Sequence, residues 1–322
     1  MKKKVVLLLA ATMIVSALSG CGMTKKESEA MITDISNADM LKTADEKSLI
    51  NADEAVKAFS DALDKVKKEK NITIDTTTTT NLGEGDKAEN AVNTSKLKKN
   101  VTDDKSTASV ELTNNYSGQS GQKSKVSGYY DGKTLFFTST ATNESTKKDE
   151  TQKIKEEMSF DDFLSIIDSY SLNLYEENIE KASIETKKDG SKVFKIAYNP
   201  EKLQATMQTN IEAAGQSLPD GQTMKVNFSN VEANVNKDGN LTSFAFRIDA
   251  KYVSDKEESP YNYTIVADFT NFGKTKVDVV TKTDDYKDAS EIQQEQAAET
   301  TTDSLESAPQ VTTTNQPDPT AK

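Results

Sequence analysis

The chain has no histidine, no tryptophan, one cysteine and one arginine (Arg247) among its 322 residues. Each absence removes a class of chemistry. Without histidine there is no Ser-His-Asp or Cys-His nucleophile system, no imidazole metal ligand and no side chain that titrates near neutrality in its unperturbed state. A single cysteine forbids an internal disulfide and any cysteine-cluster zinc site. Basic charge is also short. Forty lysines and arginines face 52 acidic residues, a net charge of −12, which argues against wrapping a nucleic-acid backbone. No apolar run has the roughly 20 residues that a spanning helix needs.

What is present begins with the first 21 residues. Lys2, Lys3 and Lys4 form a positive head, and Val5 to Leu18 form an apolar core with the length of a secretory h-region. Leu18-Ser19-Gly20-Cys21 then places small residues before a cysteine. This order resembles the lipobox signal of bacterial lipoproteins. The resemblance implies that Cys21 receives a diacylglyceryl thioether and becomes the first mature residue; an ordinary cleaved signal is the alternative. Processing would remove three lysines and leave 37 basic against 52 acidic residues, −15. Gly22 is not the aspartate of the usual Gram-negative inner-membrane retention signal. With the Lys-, Asn- and Thr-rich, Arg-poor composition, this points to a Gram-positive surface.

The expected organisation is a signal peptide over 1–20, a lipidated Cys21 with a tether to 43, a folded domain over 44–287, and a tail over 288–322. The tail lacks aromatics and is nearly free of large aliphatics, so it cannot bury enough surface to offset its ordering entropy.

Within 44–287, Asn51 and Glu54 have capping-box spacing. Leu49, Ala52, Val56, Phe59, Leu63 and Val66 make one apolar stripe, predicting a helix over 45–69. From Asn71 the period changes to two. Thr76–Thr80 is a β-branched run suited to a strand. Asp131-Gly132, Asp189-Gly190 and Asp238-Gly239 each separate two alternating runs, the strongest short hairpin signal. Met224, Val226 and Phe228 occupy even positions and Val231, Ala233 and Val235 odd ones, so a β-bulge is expected near Ser229-Asn230. Val277 and Val279 are expected to end the strand series. Ser159 and Asn199 are positioned as caps of two further helices, the second opening at Pro200 and stopped by Gly215 and Pro219.

The predicted class is therefore α+β: a strongly curved antiparallel sheet, an incomplete barrel, covered by an N-terminal helix and two inserted helices. A lipobox, a tether, an amphipathic helix and long strands joined by Asp-Gly hairpins resemble the LolA/LppX-type lipoprotein fold. The resemblance is carried by Gly128-Tyr-Tyr-Asp-Gly-Lys-Thr-Leu-Phe-Phe137 and Val235-Asn-Lys-Asp-Gly-Asn-Leu-Thr-Ser-Phe-Ala-Phe246. It implies a space between sheet and helices that holds acyl chains. The candidate lining is Phe59, Leu63, Phe244, Phe246, Ile248 and Tyr252; a dry core filled by the same side chains is the alternative.

Enzymatic readings are weak. The acid pairs Asp103-Asp104, Asp161-Asp162 and Asp284-Asp285 read as solvated surface in so acidic a chain, and Asn236–Asn240 reads as a hairpin rather than a calcium loop. No catalytic residue, metal or cofactor is assigned. The expectation is a monomeric, non-enzymatic lipoprotein on the extracytoplasmic face of a bacterial cell membrane. It would bind a lipid or hydrophobic ligand and no nucleic acid. The alternative is a surface interaction or sensor module with a protein or glycan partner.

Overall fold

The computed structural model describes residues 49–83, 89–102, 105–117, 123–142, 148–168, 176–213, 222–254 and 257–292. Cys21, the tether, Gly215, Pro219 and the chain beyond 292 lie outside them. The first half contains β1 (Leu49–Ile50), α1 (Ala52–Lys68), β2 (Asn71–Leu82), β3 (Glu89–Val101), β4 (Ser106–Ser117), β5 (Lys123–Tyr130), β6 (Thr134–Thr142) and β7 (Asp149–Glu157). The second contains α2 (Phe160–Asp168), β8 (Ile179–Thr186), β9 (Lys192–Tyr198), α3 (Pro200–Ala213), β10 (Thr223–Val235), β11 (Leu241–Val253), β12 (Glu258–Thr270) and β13 (Lys287–Asp288).

All the described strands belong to one 13-stranded sheet in the order β1-β8-β9-β10-β11-β12-β2-β3-β4-β5-β6-β7-β13. The order follows from local pairing. β2 to β7 pair antiparallel in sequence order, as do β8 to β12 with α3 between β9 and β10; β1 adds beside β8, and β12 returns beside β2 to join the two runs, Ile265 facing Thr78 and Phe269 facing Ile74. The Thr76–Thr80 run thus lies in the middle of the sheet.

The expected fold class is corrected on two points. The sheet is not purely antiparallel, because β13 pairs with β7 in parallel. It is also not a helix-covered incomplete barrel: it is open between the edges β1 and β13, and strands dominate. The described helices have 17, 9 and 14 residues. The longest spans about 25 Å at 1.5 Å per residue, whereas thirteen strands at their usual spacing span roughly 58 Å. Helices this short screen patches of such a sheet.

Local chemistry explains the element ends. Asn51 caps α1, its side chain accepting from Glu54 N at 2.7 Å, so the helix starts at Ala52. Leu49, expected in the helical stripe, instead pairs in β1 with Ser183. Ser159 Oγ accepts from Asp162 N at 3.1 Å, and Asn199 Oδ1 from Lys202 N at 3.0 Å. The three Asp-Gly turns are hairpins, with Gly132, Gly190 and Gly239 at φ of 108°, 84° and 76°, the region where a Cβ is strained. The β10 bulge lies between Val226 and Phe228, just before the expected place, and restores one apolar face to both halves of the strand. Gln204 Oε1 on α3 accepts from Val226 N at 3.3 Å beside it.

Directly paired residues share a face, so the registers assign every side chain. On one face lie two apolar clusters. Phe194, Ile196, Val231, Phe244, Phe246 and Phe269 pack with Phe59 of α1 and Leu203 of α3. Ala108, Val126, Tyr130, Leu135 and Phe137 pack with Phe163 of α2. Phe163 stacks on Tyr130 with centroids 5.5 Å apart. The other face is mostly polar, with Tyr129 stacked on Phe136 as its aromatic exception. After β12, Asn271 (φ 55°) and Gly273 (φ 69°) turn the chain off the sheet. Val277 and Val279 therefore make no strand. They belong to a segment over 271–288, called the strap below, which crosses the polar face toward β7.

Candidate functional site

All six residues expected to line a ligand space fall on the apolar face in one cluster. Phe59, Phe244, Phe246 and Ile248 are buried, and Leu63 and Tyr252 are half-buried. The α1 stripe sets Phe59 against Phe244, ring centroids 5.6 Å apart at 38°. Along β11 and β12 the cover thins. Phe246 meets Tyr263 edge-on at 6.4 Å, and Tyr252 meets Tyr261 at 5.4 Å. Tyr252, Tyr261, Tyr263 and Ile265 are half-buried and continuous with the packed cluster. Burial pushes the Tyr252 phenol up from its ordinary pKa, so its hydroxyl stays protonated well above neutrality. The apolar face thus grades from a packed floor at Phe59–Phe244 to an aromatic margin at Tyr252–Tyr263. Such a margin can take up apolar surface without any covalent step.

The polar face carries a feature that no sequence motif announced. A cleft of about 590 Å³ lies on β12, β2, β3, β4 and β5 beside the strap. Five residues form one cross-strand row along its floor: Asp268, Asp75, Lys96, Glu111 and Ser127. The strap is held at both ends. Thr275 N donates to Asn71 Oδ1 at 2.5 Å, and Thr275 Oγ1 lies 2.9 Å from Thr73 Oγ1. At the far end Tyr286 packs edge-on against Phe136 at 5.5 Å, and its hydroxyl lies 2.8 Å from Thr138 Oγ1. Lys98 pairs with Asp278 and Lys153 with Asp285. The Lys153 hydrogen bond holds the Asp285 carboxyl below the usual carboxylate range. None of the six apolar candidates lines this cleft.

The acid pairs separate. Asp161 and Asp162 are exposed on the first turn of α2, Asp285 is engaged by Lys153, and Asp103-Asp104 lie outside the described residues. Asn236 Oδ1 accepts from Asp238 N at 3.0 Å and from Asn240 N at 2.9 Å, the geometry of a hairpin turn. Among the described residues no group of three or more Asp, Glu, Cys or His is arranged to hold a metal ion. No described helix is long and apolar enough to cross a membrane.

No protein family and no curated protein matches the sequence. Several solved structures are similar to parts of it. A DUF1329 family protein from Desulfovibrio piger shares 14% identity over 72% of this chain and 93% of its own, with a TM-score of 0.19. A putative outer membrane lipoprotein-sorting protein domain from Vibrio parahaemolyticus shares 9% identity over 72% of this chain and 97% of its own, with a TM-score of 0.21. At such scores the likeness carries no argument, and function is read from the residues themselves.

Proposed function

We propose that the protein is a non-enzymatic, monomeric lipoprotein. It is anchored through Cys21 to the extracytoplasmic face of a bacterial cell membrane and binds the apolar part of an amphiphile. The observation that carries the binding reading is the half-buried margin Tyr252, Tyr261, Tyr263 and Ile265, continuous with a packed apolar floor. Each methylene buried there contributes about 0.8 kcal/mol. A tyrosine ring suits the position because it offers a large apolar body and a polar tip to the water boundary. The anchor rests on the lipobox order in residues 1–21; two acyl chains on one cysteine would hold the chain stably at a bilayer.

Two measurements test the proposal. Cys21→Ser is expected to block processing or release the protein from membranes, and unchanged processing with unchanged retention refutes the anchor. Native mass spectrometry after organic extraction and incubation with fatty acid is expected to show one bound acyl chain. Tyr252→Ser with Tyr263→Ser should weaken that uptake about tenfold, the loss expected for roughly 1.4 kcal/mol. A chain that takes up no fatty acid removes the binding reading and leaves the anchor standing.

A further inference from the structure

The polar cleft is a second, separate concavity, and its chemistry differs from that of the apolar face. Its volume of about 590 Å³ lies in the usual range for small-ligand sites. Its charges are largely matched in place. Asp75 pairs with Lys96 at 2.9 Å, Glu111 with Lys125 at 3.1 Å, and Asp278 with Lys98. An anion would meet the carboxylates, and a polycation would have to displace three lysines. Asp268 alone among the lining carboxylates has no ion-pair partner among the described residues, although it stands directly opposite Asp75 across β12 and β2. Around it the floor is hydroxylated: Thr77, Thr94 and Thr113 make the next cross-strand row, and Ser127 closes the first. Val279 in the strap also borders the cleft. It is 62% exposed and is the one exposed large hydrophobic among the described residues.

Matched charges, a hydroxylated floor, one open carboxylate and one exposed aliphatic side chain are complementary to a molecule with many hydroxyls on its edges and C–H groups on its faces. We propose that the cleft binds a neutral carbohydrate of one or two rings, Asp268 accepting from two adjacent sugar hydroxyls and Val279 lying on a ring face. The strap sets the position of Val279 through the Asp278–Lys98 contact and the 3.3 Å hydrogen bond from Asp278 N to Ser109 Oγ.

The test is saturation-transfer NMR and titration of the full-length chain in detergent with maltose, cellobiose and diacetylchitobiose, with spermidine as the charged comparison. At least one disaccharide is expected to bind at about 1 mM or tighter. Asp268→Asn should weaken it at least tenfold and Val279→Ser several-fold. Both positions are exposed, so circular dichroism should show both variants folded. Tyr252→Ser with Tyr263→Ser should leave sugar binding unchanged, and Asp268→Asn should leave fatty-acid uptake unchanged, so the two sites fail independently. The proposal is overturned if no disaccharide binds, if binding is indifferent to both cleft variants, or if spermidine binds through Asp268 and the sugars do not.

Discussion

Phe59→Ala separates a packed floor from the wall of an open space. Phe59 is fully buried on the inner face of α1 and lies 5.6 Å from the Phe244 ring. In a close-packed interior, truncation loses the transfer free energy of the ring and leaves a cavity, together about 3–5 kcal/mol. The tilted ring pair accounts for part of that cost, about 0.5–1.5 kcal/mol. For a domain of this size each kcal/mol shifts the midpoint by roughly 2–4 °C, so Tm should fall by about 6–20 °C. Tyr252 sits at the half-buried margin of the same face, and Tyr252→Ala should cost about half as much, roughly 2 kcal/mol.

The assay is urea unfolding followed by far-ultraviolet circular dichroism, because the chain has no tryptophan to report by fluorescence. The expected signature is a lower midpoint with an unchanged slope, which denotes lost stability rather than a changed unfolded state. A cost for Phe59→Ala below about 1 kcal/mol would refute the packed floor. Saturating fatty acid should raise the midpoint of the parent chain, since a ligand that binds only the folded state stabilises it. It should raise the Tyr252→Ala midpoint less. Equal increments would place the ligand away from Tyr252.

Three further outcomes follow from the geometry. Asn51→Ala removes the acceptor of Glu54 N and should destabilise the chain by about 1 kcal/mol, read from the same unfolding curves, whereas Asn51→Asp should not. Asp268→Asn removes one of two carboxylates facing each other across β12 and β2, and should raise stability by about 0.2–1 kcal/mol; a loss of that size would contradict the like-charge assignment. The strap should loosen in acid. The folded pKa of Asp285 lies below its unfolded value, so its contribution is complete above the usual carboxylate range, near pH 4, and disappears as pH falls through the depressed value. Hydrogen exchange of the strap amides, corrected for intrinsic rates, should show protection lost there first, while β11 stays protected.

Much of the fold was legible because its signals are local. An Asp-Gly pair needs only its own φ to make a turn, and Asn51, Ser159 and Asn199 cap helices within three residues of themselves. The β10 bulge followed from counting, since apolar residues on both parities cannot share a face without an inserted residue. The unread parts depend on distant partners. β3 shows no apolar alternation, because Lys96 and Lys98 point to the polar face while Ser95 and Lys99 share the other with Leu97. β7, next to the β13 edge, is mostly charged and carries no apolar alternation. Leu49 fits a helical stripe until the Asn51 cap excludes it. The strap is the extreme case: Val277 and Val279 alternate like a strand, but Asn271 and Gly273 turn them away, and Asp278 finds Lys98 from 180 residues away.

The same rule explains why one proposed site was visible and the other was not. An apolar surface is written in one residue class, and periodicity alone collects Phe244, Phe246, Ile248 and Tyr252 onto one side of one strand. A polar cleft is written in Asp, Lys, Ser and Thr, the classes that fill any solvated face, and only register sorts them. Asp268, Asp75, Lys96, Glu111 and Ser127 come from five strands and share nothing in sequence except the row in which pairing places them. The two surfaces are nonetheless coupled by that register. A shift of one residue in β2 would send Asp75 to the apolar side and Ile74 to the cleft. Ile74 packs against the apolar cluster and Asp75 pairs with Lys96, so the contacts that bury one face also hold the other row in line.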